Sequence, residues 1–188
     1  RRDTFRVREV LSIPGNNPDA ETLLWQDMRL QDVETKPLDG KIHINGDLLV
    51  FAVYSAGGGQ MPVQCFEETV PFSGNVELTE SAEDMIPFIT VKLVHRDMEL
   101  QPDSDGEMRE IAVDAVMELD IRLYEEEEVE LLSDLYALDR EVIPETGTAC
   151  FDTLAVRNQV RTKIQEKIQL TGRQRILQVC HADGDVKI

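Results

Sequence analysis

Residues 29–54 read RLQDVETKPLDGKIHINGDLLVFAVY, and this stretch decides the fold because it holds two extended runs joined by the turn sequence PLDG at 37–40. In the second run, the residues of one parity are apolar: Ile42, Ile44, Leu48, Val50, Ala52 and Tyr54. The other parity is polar as far as Asp47. Because successive side chains of a strand point to opposite faces, the alternation predicts a long strand with one buried face.

The alternation changes after Gly46, where the second parity also becomes apolar at Leu49, Phe51 and Val53. A glycine inside a strand pattern is typical of a bulge or a bend. We therefore expect an irregularity at Gly46 and a far strand end that is covered on both faces, near the centre of the domain.

Further strands are predicted on both sides of this hairpin, at 5–13, 61–70, 86–100 and 111–123. The apolar parity shifts between Leu93 and Met98, which predicts a bulge in that run. The 111–123 run alternates most regularly, with Ile111, Val113, Ala115, Met117, Leu119, Ile121 and Leu123 apolar, and Asp114, Glu118, Asp120 and Arg122 facing water. Asp105-Gly106 is typical of a hairpin turn. The sequence predicts an all-β fold, an antiparallel β-sandwich built from long hairpins.

One short helical turn is predicted at residues 19–25. Asp19 is a residue type that caps helix amino ends, and Leu23 and Leu24 would then lie beneath the sheet. Trp25 is the only tryptophan of the chain. A role in stacking on a ligand is an alternative, but we interpret Trp25 as a plug of the core, since fully exposed tryptophan is rare.

The charge is strongly acidic and unevenly distributed. The formal net charge is -18, and from residue 155 onward seven Lys and Arg stand against three Asp and Glu, which leaves -22 on the preceding residues. An acidic body argues against binding to nucleic acid or to anionic membrane surfaces. There is no run of 18 apolar residues and no signal peptide, so we expect a soluble protein without membrane insertion. The first residue is Arg1 rather than Met, which indicates a segment of a longer protein.

Cysteine usage and metal ligands point to no cofactor. Cys65, Cys150 and Cys180 are too few and too widely spaced for a disulfide framework, so we expect reduced thiols in a cytoplasmic setting. The pair Cys180-His181 falls short of the three or four convergent ligands that a zinc site needs.

Other motifs of site chemistry are incomplete. The triple glycine at 57–59 lacks the Gly-Lys-Ser/Thr ending of a phosphate-binding loop, and residues 101–107 lack the spaced oxygen ligands of a calcium loop. No carboxylate pair and no Ser-His-Asp or Cys-His arrangement stands out, although spacing alone does not exclude one. We predict that the chain is not an enzyme and carries no catalytic, cofactor-binding or metal site.

The beginning of the chain is echoed near its end. VREVLSI at 7–13 aligns with IQEKIQL at 164–170, and Gly15 aligns with Gly172 at the same offset. We predict one complete β domain at 1–140, a connector at 141–156 and the truncated start of a second repeat at 157–188. A helix is the alternative, because Val156, Val160, Ile164 and Ile168 recur every fourth residue. We favour a strand from Ile164 onward and leave 154–161 open.

The basic segment is expected to contact the acidic body, within one molecule or between two copies. Opposite charge would steer the contact and apolar burial would hold it. The residues predicted to make this contact between units are Arg157, Arg161, Lys163, Ile164 and Ile168.

Five pieces of sequence, in order and spacing, resemble the SPOCS domain: VREVLSIPGNNPDAETLL (7–24), DVETKPLDGKIHINGDLLVFAVY (32–54), CFEETVPFSGNVEL (65–78), ITVKLVHRDMEL (89–100) and EEVELLSDLYAL (127–138). This domain occurs, often repeated, in spore-envelope proteins of endospore-forming anaerobic bacteria. Some members carry a LysM domain after the repeats and help the coat to assemble on the forespore. The chain shows no LysM segment, so the docking partner of those members does not carry over.

The resemblance implies a non-catalytic scaffold or interaction module of the spore envelope. It implies a location on the cytoplasmic, mother-cell side at the forespore surface, with other envelope proteins or further copies of the chain as partners. A glycan- or peptidoglycan-binding β-sandwich is the alternative, and exposed aromatic residues in a flat platform would favour it. An enzyme is the third class, and a deep pocket with converging polar side chains would revive it.

Overall fold

The computed structural model of the chain describes residues 1–57, 62–79, 85–135, 138–141, 143, 145–153, 155, 162–169, 172, 179, 181–182 and 184. The chain divides into two units. The first contains Arg1–Glu127 together with Cys180–Ile188, and the second contains Glu128–Val179.

Six strands make up the first unit: β1 (Arg2–Ser12), β2 (Ala20–Leu38), β3 (Lys41–Ala56), β4 (Val63–Glu77), β5 (Ile86–Pro102) and β6 (Met108–Tyr124). They form two antiparallel sheets of three strands. Sheet I has the order β1-β6-β5 and sheet II the order β2-β3-β4. The predicted all-β class with antiparallel sheets is confirmed.

The chain leaves sheet I after β1, builds all of sheet II as two successive hairpins, and returns to sheet I through β5 and β6. As a result β1 pairs with β6, which lies more than a hundred residues away in sequence, with Val7 opposite Ala115. The two sheets pack face to face, β2 against β5 and β1 against β4. One continuous apolar cluster joins both inner faces, as expected for a sandwich.

The core is built from the apolar parities of the two central strands, as predicted. From β3 it takes Ile42, Ile44, Leu48, Val50, Ala52 and Tyr54, and from β6 it takes Ile111, Val113, Ala115, Met117, Leu119 and Ile121, all of them buried. The turns that connect the hairpins contain Gly40 and Gly106, both with positive φ, a backbone conformation that glycine adopts without strain. The predicted bulge in β5 is confirmed, because the register shifts between Leu93 and His95.

The irregularity expected at Gly46 lies on the partner strand. Gln31 pairs with Asp47 and Glu34 with Asn45, so β2 has an extra residue opposite Gly46. A Cβ atom at Gly46 would lie 3.0 Å from the Val33 Cα and 3.0 Å from the Phe72 ring. The glycine therefore makes room for the bulge of β2, in which Asp32 has a positive φ of 47°.

The predicted helical turn at 19–25 is wrong, because β2 begins at Ala20 and these residues are part of the ladder with β3. Register shifts flank Leu23, which marks this end of β2 as irregular. Asp19 does not cap a helix but pairs with the guanidinium group of Arg109. Long-range strand pairing has overridden a weak local capping preference.

Two other details differ from the sequence prediction. Leu24 is exposed, and Trp25 is 46% exposed on the outer face of sheet II, so Trp25 is not a plug of the core. The fourth strand continues through Pro71 to Glu77. A proline fits there because β4 is an edge strand, whose outward backbone positions need no hydrogen-bonding partner.

The described residues of the second unit contain no helix and no strand. The strand predicted from Ile164 onward is wrong for residues 164–169. A strand needs a neighbouring strand to complete its ladder, and a partial repeat supplies few partners. The predicted boundaries at 1–140, 141–156 and 157–188 stay predictions.

Candidate interaction surface

The outer face of sheet I is polar. Its central strand presents four carboxylates, with Ala112 and Val116 among them, to this face: Glu110, Asp114, Glu118 and Asp120. The neighbouring edge strand β1 presents arginines at positions 2, 6 and 8 beside them. This face is a set of cross-strand charge pairs exposed to water.

Asp114 is the centre of these charge pairs. Arg6 binds its carboxylate with two nitrogens, Nε at 2.7 Å and Nη2, and Arg8 Nε donates to Oδ2 at 3.2 Å. The hydrogen bonds from Arg6 lower the pKa of the Asp114 carboxyl from 3.8 to about 2. The ion pairs also offset the repulsion between Asp114 and Asp97, its cross-strand neighbour on β5.

A groove of ≈ 530 Å³ crosses this face and is lined by Arg8, Glu9, Val10, Asp97, Glu99, Gln101, Ala112, Val113 and Asp114. A general acid needs a carboxyl whose pKa is raised towards neutrality. The pKa of Asp114 is shifted in the opposite direction, by two arginines that hold the charged form. This is the electrostatic arrangement of a structural ion pair.

The outer face of sheet II is different, because its centre is apolar. We call this area the Trp25 patch; it consists of Trp25 on β2, Leu49, Phe51 and Val53 on β3, and Cys65 on β4. These side chains share a face because Trp25 and Cys65 both lie opposite Val53 in the register. The patch comes from the second apolar parity that follows Gly46 in the sequence.

Phe51, at the centre of the patch, is covered by other side chains. It is 2% exposed although it does not belong to the core cluster between the sheets. Trp25 packs on it with ring centroids 5.5 Å apart and an interplanar angle of 64°. The predicted burial on both faces is confirmed at Phe51, whereas Leu49 and Val53 are half-buried, and the outer cover includes side chains from outside β3.

The second ring on Phe51 belongs to His181, from the Cys180–Ile188 part of the first unit. The His181 centroid lies 4.5 Å from that of Phe51 at 31°, and 5.0 Å from that of Trp25 at 55°. Three rings from distant parts of the sequence are thus in mutual contact. Centroid separations of this size are typical of aromatic pairs in proteins.

Polar groups border the three rings along β2. Asp27 accepts a hydrogen bond from Arg29 Nε at 2.7 Å, and its carboxylate lies 3.5 Å from Arg96 of β5. His181 Nε2 lies 3.3 Å from Arg29 Nη2 and 3.8 Å from Asp27 Oδ2. Asp27 therefore connects sheet II, sheet I and His181 at one edge of the sandwich.

Five residues are predicted to make a contact between units, and the structure describes three of them. Arg157 and Arg161 lie outside the described residues. Lys163, Ile164 and Ile168 are exposed in the stretch 162–169 of the second unit. Their contact stays a prediction.

Sequence reasoning missed His181 and misplaced Trp25. The signal for the patch was present, since both parities of the strand are apolar after Gly46. The predicted helical turn, however, places Trp25 in the core. In the sequence His181 stands out only as a candidate metal ligand, and no periodic pattern connects it with β3.

Among the described residues, metal sites, disulfides and membrane-spanning helices are all absent. Within these ranges no group of three His, Cys, Asp or Glu side chains is placed to hold a metal ion. Cys65 and Cys150 form no disulfide. None of the described residues forms a helix with the length and apolar character needed to span a bilayer.

Comparison with known families gives one result. Residues 19–101 match the family model described as SipL, SPOCS domain. They contain β2, β3, β4 and all of β5 except Pro102. This part of the chain is similar to the SPOCS domain. No curated protein and no solved structure gave a match.

The SPOCS match contains the whole Trp25 patch but not His181. It also contains all of sheet II, whereas two of the three strands of sheet I, β1 and β6, lie outside it. The family suggests a sporulation-related module. The Trp25 patch is the apolar area on the outside of its sheet.

Proposed function

We propose that the chain is a non-catalytic interaction module of the bacterial spore envelope, which acts in coat assembly on the mother-cell side of the forespore surface. Its partners are other envelope proteins or further copies of the chain. The observation that carries the proposal is the Trp25 patch. Apolar side chains grouped on the outside of a sheet are typical of surfaces that bind another polypeptide.

The contrast between the two outer faces supports this proposal. Sheet I presents charged pairs to water, whereas the outer face of sheet II carries Leu49, Val53 and the half-exposed Trp25 around the covered ring of Phe51. Aromatic side chains are enriched where proteins bind one another, and charged ones are depleted from the centre of such interfaces.

Glycan binding is less well supported by the arrangement of the rings. A sugar-binding platform needs exposed aromatic faces in one plane. Trp25 stands at 64° to Phe51, and Phe88 stands at 79° to Tyr124 at the other end of the sandwich. Neither pair offers two parallel rings to a flat ligand.

The absence of catalysis is part of the proposal. The open groove on sheet I contains carboxylates, but the one with a clearly shifted pKa is held in its charged form by arginines. An interaction module needs no such group, and the acidic body would keep it soluble at high local concentration.

The test is capture of proteins from sporulating cells of an endospore-forming bacterium, with vegetative cells as the reference. Wild-type protein should retain envelope proteins from the sporulating cells alone. Trp25→Glu should lose them, because a carboxylate would have to be desolvated in the contact.

Val10→Glu is the matched control. Val10 is 52% exposed, close to the 46% of Trp25, but lies on the outer face of sheet I. It should retain the same proteins as the wild type. Capture that does not depend on sporulation, or equal loss in both variants, would contradict the proposed function.

A further inference from the structure

Among the described residues that follow the six strands, His181 lies on the Trp25 patch. The imidazole lies on Phe51 and Trp25, and it is 17% exposed. Most of its surface is therefore covered, although its neighbour Ala182 is exposed. A histidine in an exposed stretch of chain normally remains in water.

We propose that the segment carrying His181 is an intramolecular occupant of the Trp25 patch. The ring fills the space between Trp25 and Phe51, and its Nε2 faces the polar border formed by Asp27 and Arg29. The patch would thus be closed in the free chain, and another protein would have to displace His181 to reach it.

The chemistry of the patch suits an imidazole. Trp25 and Phe51 offer aromatic faces and edges, which favour a tilted third ring. The Asp27 carboxylate lies 3.8 Å from Nε2, so the ring also has a polar neighbour at its edge. An aliphatic side chain would pack on the two rings but would make no polar contact with Asp27.

The charged and titratable groups around the ring come from two strands of sheet II and from sheet I. They are Asp27 and Arg29 on β2, Arg96 on β5 beside Asp27, and Glu67, the cross-strand neighbour of Phe51 on β4. Both signs are present, so the contact does not depend on one charge alone.

Tethering explains why so small a contact can be occupied. One side chain buries too little surface to hold two separate molecules together. A tethered segment binds at an effective concentration set by its connection, and the entropy of closing the loop rises only slowly with its length. For this reason we commit to the same chain, rather than a second copy, as the source of His181.

The occupant also has a place in the internal-repeat interpretation. At the offset that aligns residues 7–13 with residues 164–170, His181 aligns with Leu24 of β2. In that interpretation His181 belongs to the part of the following repeat that corresponds to β2. The patch would then be the surface on which one unit holds the start of the next.

Fluorescence of Trp25 tests the proposal, because it is the only tryptophan. In His181→Ala the indole should become more accessible, with a red-shifted emission maximum and a larger quenching constant for acrylamide. His43→Ala is the control, because His43 lies on the same face of sheet II but bonds to Asn75. It should leave both quantities unchanged.

Two further measurements on the same proteins keep the outcome clear. Nuclear Overhauser contacts between the His181 ring and the rings of Trp25 and Phe51 should be present in the wild type. The quenching constant should not depend on protein concentration. Unchanged fluorescence in His181→Ala, or missing ring contacts, would overturn the proposal, and shielding that disappears on dilution would assign the occupant to a second copy. All of these are measured without a partner, so a negative result leaves the capture experiment unaffected.

Discussion

Arg109 is a residue that stabilises the loop between sheet I and sheet II. Its guanidinium group pairs with Asp19 and donates hydrogen bonds to the carbonyl oxygens of Pro14 at 3.0 Å and Asn17 at 3.1 Å. The side chain is 17% exposed, so these bonds are partly shielded from water. Arg109 thus holds the loop that carries the chain from β1 to β2.

Arg109→Ala should lower the free energy of unfolding by about 1.5–3 kcal/mol, the range for a hydrogen bond to a charged group. Arg109→Lys should restore little, since an ammonium group cannot reproduce the fork of several donors. Urea unfolding measures both. Arg122→Ala is the control, because Arg122 is an exposed residue whose guanidinium group bonds to Asp120 on its own strand. Equal midpoints for Arg109→Ala and Arg122→Ala would contradict the role of Arg109.

The pKa of Asp114 gives a second prediction for single residues. Because the folded value of about 2 lies below the ordinary 3.8, the ion pairs contribute stability above pH 3.8 and lose it as the pH falls towards 2. Carboxyl carbon chemical shifts should titrate with a midpoint near 2. In Arg6→Gln the midpoint should rise towards 3.8, while in Arg122→Gln it should stay. A midpoint unaffected by Arg6→Gln would show that the fork is not formed in solution.

At the level of elements, β6 is the strand on which sheet I depends, because it pairs with both β1 and β5. Leu119 is fully buried between the sheets, and the neighbouring Asp120 faces outward. Leu119→Ala should cost roughly 2–5 kcal/mol, the range for a large-to-small change in a core. Asp120→Ala should change stability little. The two urea midpoints check the parity, and equal midpoints would show that it is wrong.

The edge where β1 approaches β4 gives another prediction at this level. A Cβ atom at Gly74 would lie 2.7 Å from the Cζ of Phe5, and that ring packs on Phe72 at 5.9 Å. Gly74→Ala should therefore destabilise the fold by about 1–3 kcal/mol through overpacking. Gly15→Ala, in open space, is the control.

A double-mutant cycle identifies the cause of that loss. In a Phe5→Ala background the cost of Gly74→Ala should fall, since the ring that blocks the new methyl group is gone. If the cost is the same with and without the Phe5 ring, the close approach of the two strands is not its source.

At the level of the whole molecule, the SPOCS match is shorter than the folded unit. Residues 19–101 supply β2 to β5, so β5 loses its only neighbour and the inner face of sheet II loses most of its cover. A fragment of residues 19–101 should show no cooperative unfolding, because a single strand cannot bury its apolar face. A fragment of residues 1–127 should unfold cooperatively.

Circular dichroism followed during urea titration distinguishes the two fragments. A cooperative transition of the 19–101 fragment, with a midpoint close to that of 1–127, would show that sheet II is stable without sheet I. The β2-β3-β4 sheet, and not the whole sandwich, would then be the folding unit.

The sequence by itself determined the strands and their faces. Period-two alternation is a local property, so Ile42 to Tyr54 and Ile111 to Ile121 could be assigned to the core without knowledge of their neighbours. The same holds for the bulge after Leu93, which the shift of parity reveals, and for the hairpin at Asp105-Gly106. The resemblance to the SPOCS domain was also carried by local strings in order.

Only the tertiary structure decided which strands are neighbours and what lies outside the sheets. The pairing of β1 with β6 depends on closing a loop of about a hundred residues, which no local pattern encodes. The pairing of β2 with β3 includes residues 20–25 and places Trp25 on the outer face, although the local sequence favours a helical turn. The contact of His181 with Phe51 has no periodic signal in the sequence, because one side chain from a distant segment meets the sheet there through the geometry of the folded chain.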